Sequence, residues 1–147
     1  MEARTLTGDE ARSAAARAAQ RLAAEPRVRL VYLFGSAADP SRATARDIDL
    51  AVLCRPRLDL EALMRLRADA TAAAGASIDL VSLHDAGVVL AWEVAETGRC
   101  LFARDAADEV DFVTRARARY WDFRPFLEAQ WQLAGQRLAE RVHGPAT

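Results

Sequence analysis

A Gly-Ser pair closing one apolar segment and an Asp-x-Asp triplet opening the next, ten residues apart, most restrict how this chain can fold. The segment Val28-Arg29-Leu30-Val31-Tyr32-Leu33-Phe34 is β-branched and aromatic and stops at Gly35-Ser36, which predicts a strand. Asp47-Ile48-Asp49-Leu50-Ala51-Val52-Leu53 alternates and predicts a second strand, ended by Pro56. Side chains i and i+2 share one face of a strand, so Asp47 and Asp49 project together, about 7 Å apart along the backbone. Ile48, Leu50 and Val52 point to the opposite, buried face. Between the strands, Asp39-Pro40-Ser41 is a turn or loop signal.

The remaining segments supply helices to back these strands. Thr7-Gly8-Asp9-Glu10 matches a capping box and predicts a helix to Ala24, stopped before Pro26, with a face built mostly of Ala plus Leu22. Asp59 is placed to cap a helix over Leu60–Ala74, with Leu60, Leu63, Met64 and Leu66 at helical spacing and Gly75 as its stop. Ser77–Leu83 alternates, a third strand. Asp85 is placed to cap a helix through Glu96 closed by Gly98, and Arg99–Phe102 reads as a short fourth strand. From Ala106 the pattern is helical to about Val142, with a break or kink expected at Pro125. The order α-β-β-α-β-α-β-α-α is α/β (α+β), a small mixed sheet backed by helices with further helices at the C-terminal end. Residues 1–147 read as a single domain whose helical C-terminal part spans about 105–143.

Composition removes several classes of function. Hydrophobic residues at 52% and charged residues at 28% exclude a disordered or collagen-like chain. Twenty basic residues, every one Arg, face 21 acidic ones, for a net charge of −1. A protein that coats nucleic acid needs a basic excess to neutralise phosphates, so direct nucleic-acid binding is not expected. Cys54 and Cys100 are too few for a disulfide framework or a zinc site and read as reduced core thiols. The N-terminal stretch lacks the apolar run of a signal peptide, and Ala86–Trp92 is far too short for a membrane span. A cytoplasmic protein without a membrane partner is expected.

The candidate chemistry centres on carboxylates. Two side by side repel each other unless a cation lies between them. Hard oxygen ligands suit Mg²⁺, which binds through one or two carboxylates plus substrate phosphates. Asp79, flanked by Ile78 and Leu80 in the third strand, is costly unless paired or metal-bound. If that strand lies beside the second, three aspartates converge. Gly35 lets a phosphate approach the backbone, and Ser36 offers a hydroxyl and an amide as donors. Together these parts suit two-metal displacement at phosphorus. The bland alternatives are solvated carboxylates in a strand-entry turn for Asp47 and Asp49, and a water-facing edge-strand residue for Asp79.

Other features read as structural. Tyr120, Phe123, Leu127, Trp131, Ala134 and Leu138 recur at helical steps, a stripe expected to pack on the sheet at most positions. Trp121, Phe126 and Leu133 lie partly off it and leave aromatic surface for a partner helix. Arg115, Arg117 and Arg119 form a short basic face, ordinarily a solvated one, with steering of an anionic substrate or partner as the functional alternative. His84 and His143 receive no role.

Leu33-Phe34-Gly35-Ser36, the gap, and Asp47-Ile48-Asp49-Leu50 together resemble the signature of the polymerase-β-type nucleotidyltransferase superfamily. Within it the chain resembles the minimal nucleotidyltransferase (MNT) antitoxins of HEPN–MNT, or type VII, toxin–antitoxin pairs. The resemblance extends through Ile78–Leu83, Val94–Phe102 and Tyr120–Leu127, and so covers about 27–141. It implies a Mg²⁺-dependent enzyme, with two ions, that moves AMP from ATP onto a tyrosine of a HEPN RNase toxin held in a heteromeric complex. By that resemblance Gly35 and Ser36 hold the triphosphate and Asp47 and Asp49 bind the metals. Asp79 completes the metal site or helps deprotonate the acceptor. One departure stands out: where many relatives carry a small residue, Arg and Gly, this chain reads Ala38-Asp39-Pro40. A basic phosphate contact is missing there unless Arg42 or Arg46 replaces it. Two alternatives share these features, a small-molecule nucleotidyltransferase of the aminoglycoside-modifying type and a non-catalytic antitoxin acting by occlusion. The short chain leaves little to build a separate acceptor pocket, which favours an acceptor carried by another protein.

Overall fold

The computed structural model describes residues 4–143. A two-residue strand β1 (Leu6–Thr7) leads into α1 (Gly8–Ala23). The capping box forms as expected: Thr7 Oγ1 accepts from the Glu10 amide at 3.1 Å, and a Glu10 carboxylate oxygen accepts from the Thr7 amide at 3.2 Å. β2 (Val28–Phe34) follows, then a 3-10 turn over Gly35–Ala38, a two-residue strand β3 (Thr44–Ala45) and β4 (Ile48–Cys54). Next come α2 (Leu60–Ala74), β5 (Ile78–Ser82), α3 (Val88–Thr97), β6 (Arg99–Ala103) and α4 (Ala106–His143).

The main sheet has four strands in the order β5-β4-β2-β6. β4 pairs antiparallel with β2 and parallel with β5, so the sheet is mixed as expected. Alternation sends Val31, Leu33, Ile48, Leu50, Val52, Ile78 and Leu80 to one face, where they pack against α1 and α2. The small side chains Ala11, Ala14, Ala15, Ala18 and Ala19 let α1 lie close. Each fully buried Ile or Leu there contributes about 1.5–3 kcal/mol. Leu30, Tyr32, Ala51 and Leu53 line the other face and meet Ala91 and Val94 of α3 and Phe112 and Ala116 of α4. β1 and β3 pair antiparallel in a separate two-stranded patch that ties the loop before β4 to the start of α1.

Four local expectations are corrected. Gly87, not Asp85, is the N-cap of α3, because the Asp85 carboxylate is taken by Arg57 and its amide closes a turn onto the Ser82 carbonyl. The buried face of α2 is Ala62, Leu66, Ala70 and Ala74, while Leu60 and Met64 face solvent. α4 runs unbroken through Pro125. Proline removes its own amide from the ladder and frees the carbonyl four residues back. Here that carbonyl belongs to exposed Trp121, where water can satisfy it, and the Arg124–Glu128 ion pair at 2.8 Å spans the proline on the outside. Finally, the apolar stripe packs only at its start. Tyr120, which stacks on Trp92 at 4.1 Å, Phe123 and Leu127 are half-buried, whereas Trp131, Ala134 and Leu138 are exposed. The C-terminal half of α4 projects beyond the sheet.

Among the described residues, no helix is long and apolar enough to cross a membrane. Cys54 and Cys100 are free thiols. Burial pushes both up to about 11, which keeps them protonated and unreactive near neutrality.

Candidate active site

The site lies where the second face of the sheet is left uncovered by α3 and α4. Alternation along β4 places Asp49 on the same face as Ala51 and Leu53, and the register does the rest. Phe34, at the end of β2, pairs with Asp49, and Asp49 pairs across the parallel ladder with Asp79. Asp49 is therefore flanked by the Gly-Ser turn on one side and by Asp79 on the other. Gly35 has φ +71°, the left-handed region that disfavours other residues, and a Cβ on it would stand 2.5 Å from Asp49 Oδ2. The glycine thus admits both the turn and the carboxylate.

Asp47 precedes β4 and is exposed; Asp49 is half-buried. Burial, then the charges of Asp79 and Asp47, push the Asp49 carboxyl above its usual value. Asp79 sits on the edge strand with its side chain in solvent, so the water-facing alternative describes its exposure while the register still sets it beside Asp49. Arg67 of α2 donates from Nε to the Ile78 carbonyl at 3.0 Å, and its Nη2 stands 3.9 Å from Asp79 Oδ1.

Among the described residues, no three His, Cys, Asp or Glu side chains form a group that could hold a metal ion by themselves. The donor set nonetheless suits Mg²⁺. Asp49 is half-buried and faces the charges of Asp79 and Asp47, which add to burial in raising its carboxyl, a setting that a cation relieves; Mg²⁺ takes one or two carboxylates and fills its other positions from phosphates and water.

Gly35 and Ser36 open into a cleft of about 500 Å³. Ala38, Asp39, Pro40 and Arg42 continue its first wall, and Glu93 and Thr97 of α3 form the second. Glu93 and Thr97 carried no local signal, because only packing brings α3 opposite the Gly-Ser loop. Arg46 does not line the cleft. The basic face on α4 is largely spent on ion pairs, Arg115 with Asp111 at 3.1 Å and Arg117 with Glu96 at 2.6 Å. His84 contacts the Cys54 carbonyl at 2.7 Å and lies outside the site.

Comparison with known proteins gives concordant matches. The model of the family described as polymerase beta, nucleotidyltransferase matches residues 17–107, which include Gly35, Ser36, Asp47, Asp49 and Asp79. The protein adenylyltransferase MntA of Shewanella oneidensis is 35% identical over 85 residues, 58% of this chain and 61% of that protein's length. The chain therefore aligns with less than two thirds of that relative. Among solved structures, a toxin–antitoxin complex with AMP-PNP contains a chain with TM-score 0.67 and 28% identity, over 84% of this chain and 98% of the matched one. A Shewanella oneidensis complex of tri-AMPylated HEPN toxin with MNT antitoxin matches with TM-score 0.63 and 28% identity, over 85% and 96%.

Proposed function

The chain belongs to the polymerase beta nucleotidyltransferase family, and from that premise we propose that it is the antitoxin of a HEPN–MNT pair. It moves AMP from ATP onto a tyrosine hydroxyl of a cognate HEPN RNase toxin and so silences it. The observation that carries this reading is the register that sets Asp49 between the Gly-Ser turn and Asp79, with Gly35 and Ser36 of that turn lining a cleft large enough for a nucleotide. Support for the acceptor class comes from the likeness to an adenylyltransferase and to an MNT antitoxin complexed with its AMPylated toxin.

In this mechanism Gly35 lets the triphosphate approach the turn, where backbone amides and the Ser36 hydroxyl donate to its oxygens. Asp47 and Asp49 are the residues that would hold Mg²⁺, with Asp79 as the third carboxylate. When bound, the metal neutralises phosphate charge and makes the α-phosphorus easier to attack. Asp79, open to solvent on the edge strand, stands where an acceptor from another protein can reach it and takes the proton of the tyrosine hydroxyl. Arg67 beside it offsets the third negative charge. The tyrosine oxygen bonds to the α-phosphorus, the bond from that phosphorus to the bridging oxygen breaks, and pyrophosphate leaves.

The acceptor surface comes from the partner. The exposed apolar side chains of Trp121 and, on the projecting half of α4, of Phe126, Trp131, Leu133 and Leu138 are surface on which a helical partner can bury area.

Intact-protein mass spectrometry tests the proposal. With ATP, Mg²⁺ and the cognate toxin, the toxin gains adenylyl increments, and the Asp47→Ala/Asp49→Ala double variant adds none while remaining folded. Neutralised toxin of unchanged mass would mean occlusion instead.

A further inference from the structure

We propose that Arg42 is the cation that grips the triphosphate, released for that purpose from an ion pair with Asp39. This rests on the nucleotidyltransferase reading above and names the residue that supplies its phosphate contact. Among the described residues that line the cleft beside Gly35 and Ser36, Arg42 is the only cation. A guanidinium presents a planar fork that matches phosphate oxygens bidentately. Two carboxylates, Asp39 and Glu93, also line the cleft and repel phosphate, so the guanidinium of Arg42 and the donors of the Gly-Ser turn are what draw the triphosphate to the loop. Arg46 lies beyond β3, outside the cleft.

The backbone holds Arg42 in place from both sides. The Arg42 amide donates to the Asp39 carbonyl at 3.2 Å, and one residue on, the Ala43 carbonyl accepts from the Gly8 amide at 2.8 Å. The Thr7–Thr44 pairing continues that attachment to the start of α1. The side chain, in contrast, is free to exchange partners. Its Nε stands 3.9 Å from Asp39 Oδ2, and both side chains are about half exposed or more, at 64% and 45%. Such pairs are weak. Asp39 itself is fixed, because its Oδ1 accepts from the Ser41 amide at 2.9 Å and the Ser41 hydroxyl at 2.7 Å. Those hydrogen bonds hold its carboxyl below the usual value, so it stays anionic opposite Arg42. In the nucleotide-bound chain, the multiply charged triphosphate displaces this single carboxylate.

The test compares wild type, Arg42→Ala, Arg46→Ala and Asp39→Asn in calorimetric binding of AMP-PNP with Mg²⁺ and in steady-state AMP transfer to the cognate toxin. Arg42→Ala should weaken AMP-PNP binding and raise KM for ATP roughly 10- to 100-fold with kcat within about twofold. Arg46→Ala should behave as wild type. Asp39→Asn keeps an oxygen for Ser41 but removes the competing charge, and should bind AMP-PNP several-fold more tightly. Affinity unchanged in Arg42→Ala, or a larger loss in Arg46→Ala, would overturn the assignment; weaker binding by Asp39→Asn would overturn the exchange. A wild type that binds AMP-PNP yet transfers no AMP defeats the transferase reading, while the affinities still decide Arg42. A wild type that binds none defeats both.

Discussion

The space that a Cβ on Gly35 would occupy is taken by the carboxylate of Asp49, whose Oδ2 lies 2.5 Å from that point. The turn and the carboxylate therefore depend on each other. Gly35→Ala incurs the left-handed backbone cost, about 1–2 kcal/mol, and also pushes Asp49 aside. Gly75 gives the control, since its φ of +66° carries the same backbone cost with nothing within 4 Å of an added Cβ. Urea denaturation should show both alanine variants destabilised to a similar first order, while AMP transfer falls about 100-fold or more only in Gly35→Ala. Equal activity in the two would break the link between glycine and site.

The raised Asp49 carboxyl fixes the direction of a pH effect. A carboxyl whose folded value lies above its unfolded one binds protons more tightly in the native state, so stability declines as pH rises through that interval. Asp49→Asn removes the decline. In metal-free buffer near neutrality the variant should melt higher than wild type, with the gap closing as pH falls below the ordinary carboxyl range. Saturating Mg²⁺ and AMP-PNP, at about 100 times Kd, should stabilise wild type by about 2.7 kcal/mol, and Asp49→Asn far less. Differential scanning fluorimetry across pH reads both.

Asp108 is the one buried charged side chain among the described residues, and it joins α4 to β2. Arg29 donates to its Oδ2 at 2.9 Å from Nε and lies 2.8 Å away through Nη2. Asp108→Ala leaves that half-buried guanidinium without its acceptor and should cost about 1–3 kcal/mol in urea denaturation. Glu128→Ala breaks the exposed Arg124–Glu128 pair and should change stability by less than about 0.5 kcal/mol.

Much of the fold, and the residues of the candidate site, could be read in advance for physical reasons that are local. The Thr7–Glu10 capping box, the Asp59 cap and the Gly75 stop act within one helical turn, and the alternation of β4 and β5 is visible in their own residues. Asp49 and Asp79 could be suspected because carboxylates interrupt apolar strands. Contacts between distant segments were hidden. β1 and β3 are two residues each, too short for any period, and exist because they pair with one another. Asp85 looked like a cap until Arg57, remote in sequence, claimed it. Pro125 looked like a break because local propensity cannot see that its freed carbonyl faces water. Arg42 and Arg46 could not be told apart until β3 placed one at the cleft and the other away from it.

The projecting half of α4 should matter for association and little for folding. Trp131 is 57% exposed and Leu138 63%. Trp131→Ala and Leu138→Ala should each shift unfolding by less than about 0.5 kcal/mol. Trp131→Ala should weaken binding of the cognate toxin by about 2 kcal/mol, as expected of an aromatic anchor, measured by calorimetry. Unchanged affinity in both variants would place the partner elsewhere.

Isotope tracing tests the central claim most directly. The protein is incubated with its cognate toxin, Mg²⁺ and ATP labelled at either the α- or the γ-phosphate, and the toxin is then separated and counted. Adenylyl transfer predicts label in the toxin from α-labelled ATP alone, lost in the Asp47→Ala/Asp49→Ala variant. Label from the γ-position, or toxin neutralised with no label from either, would contradict it.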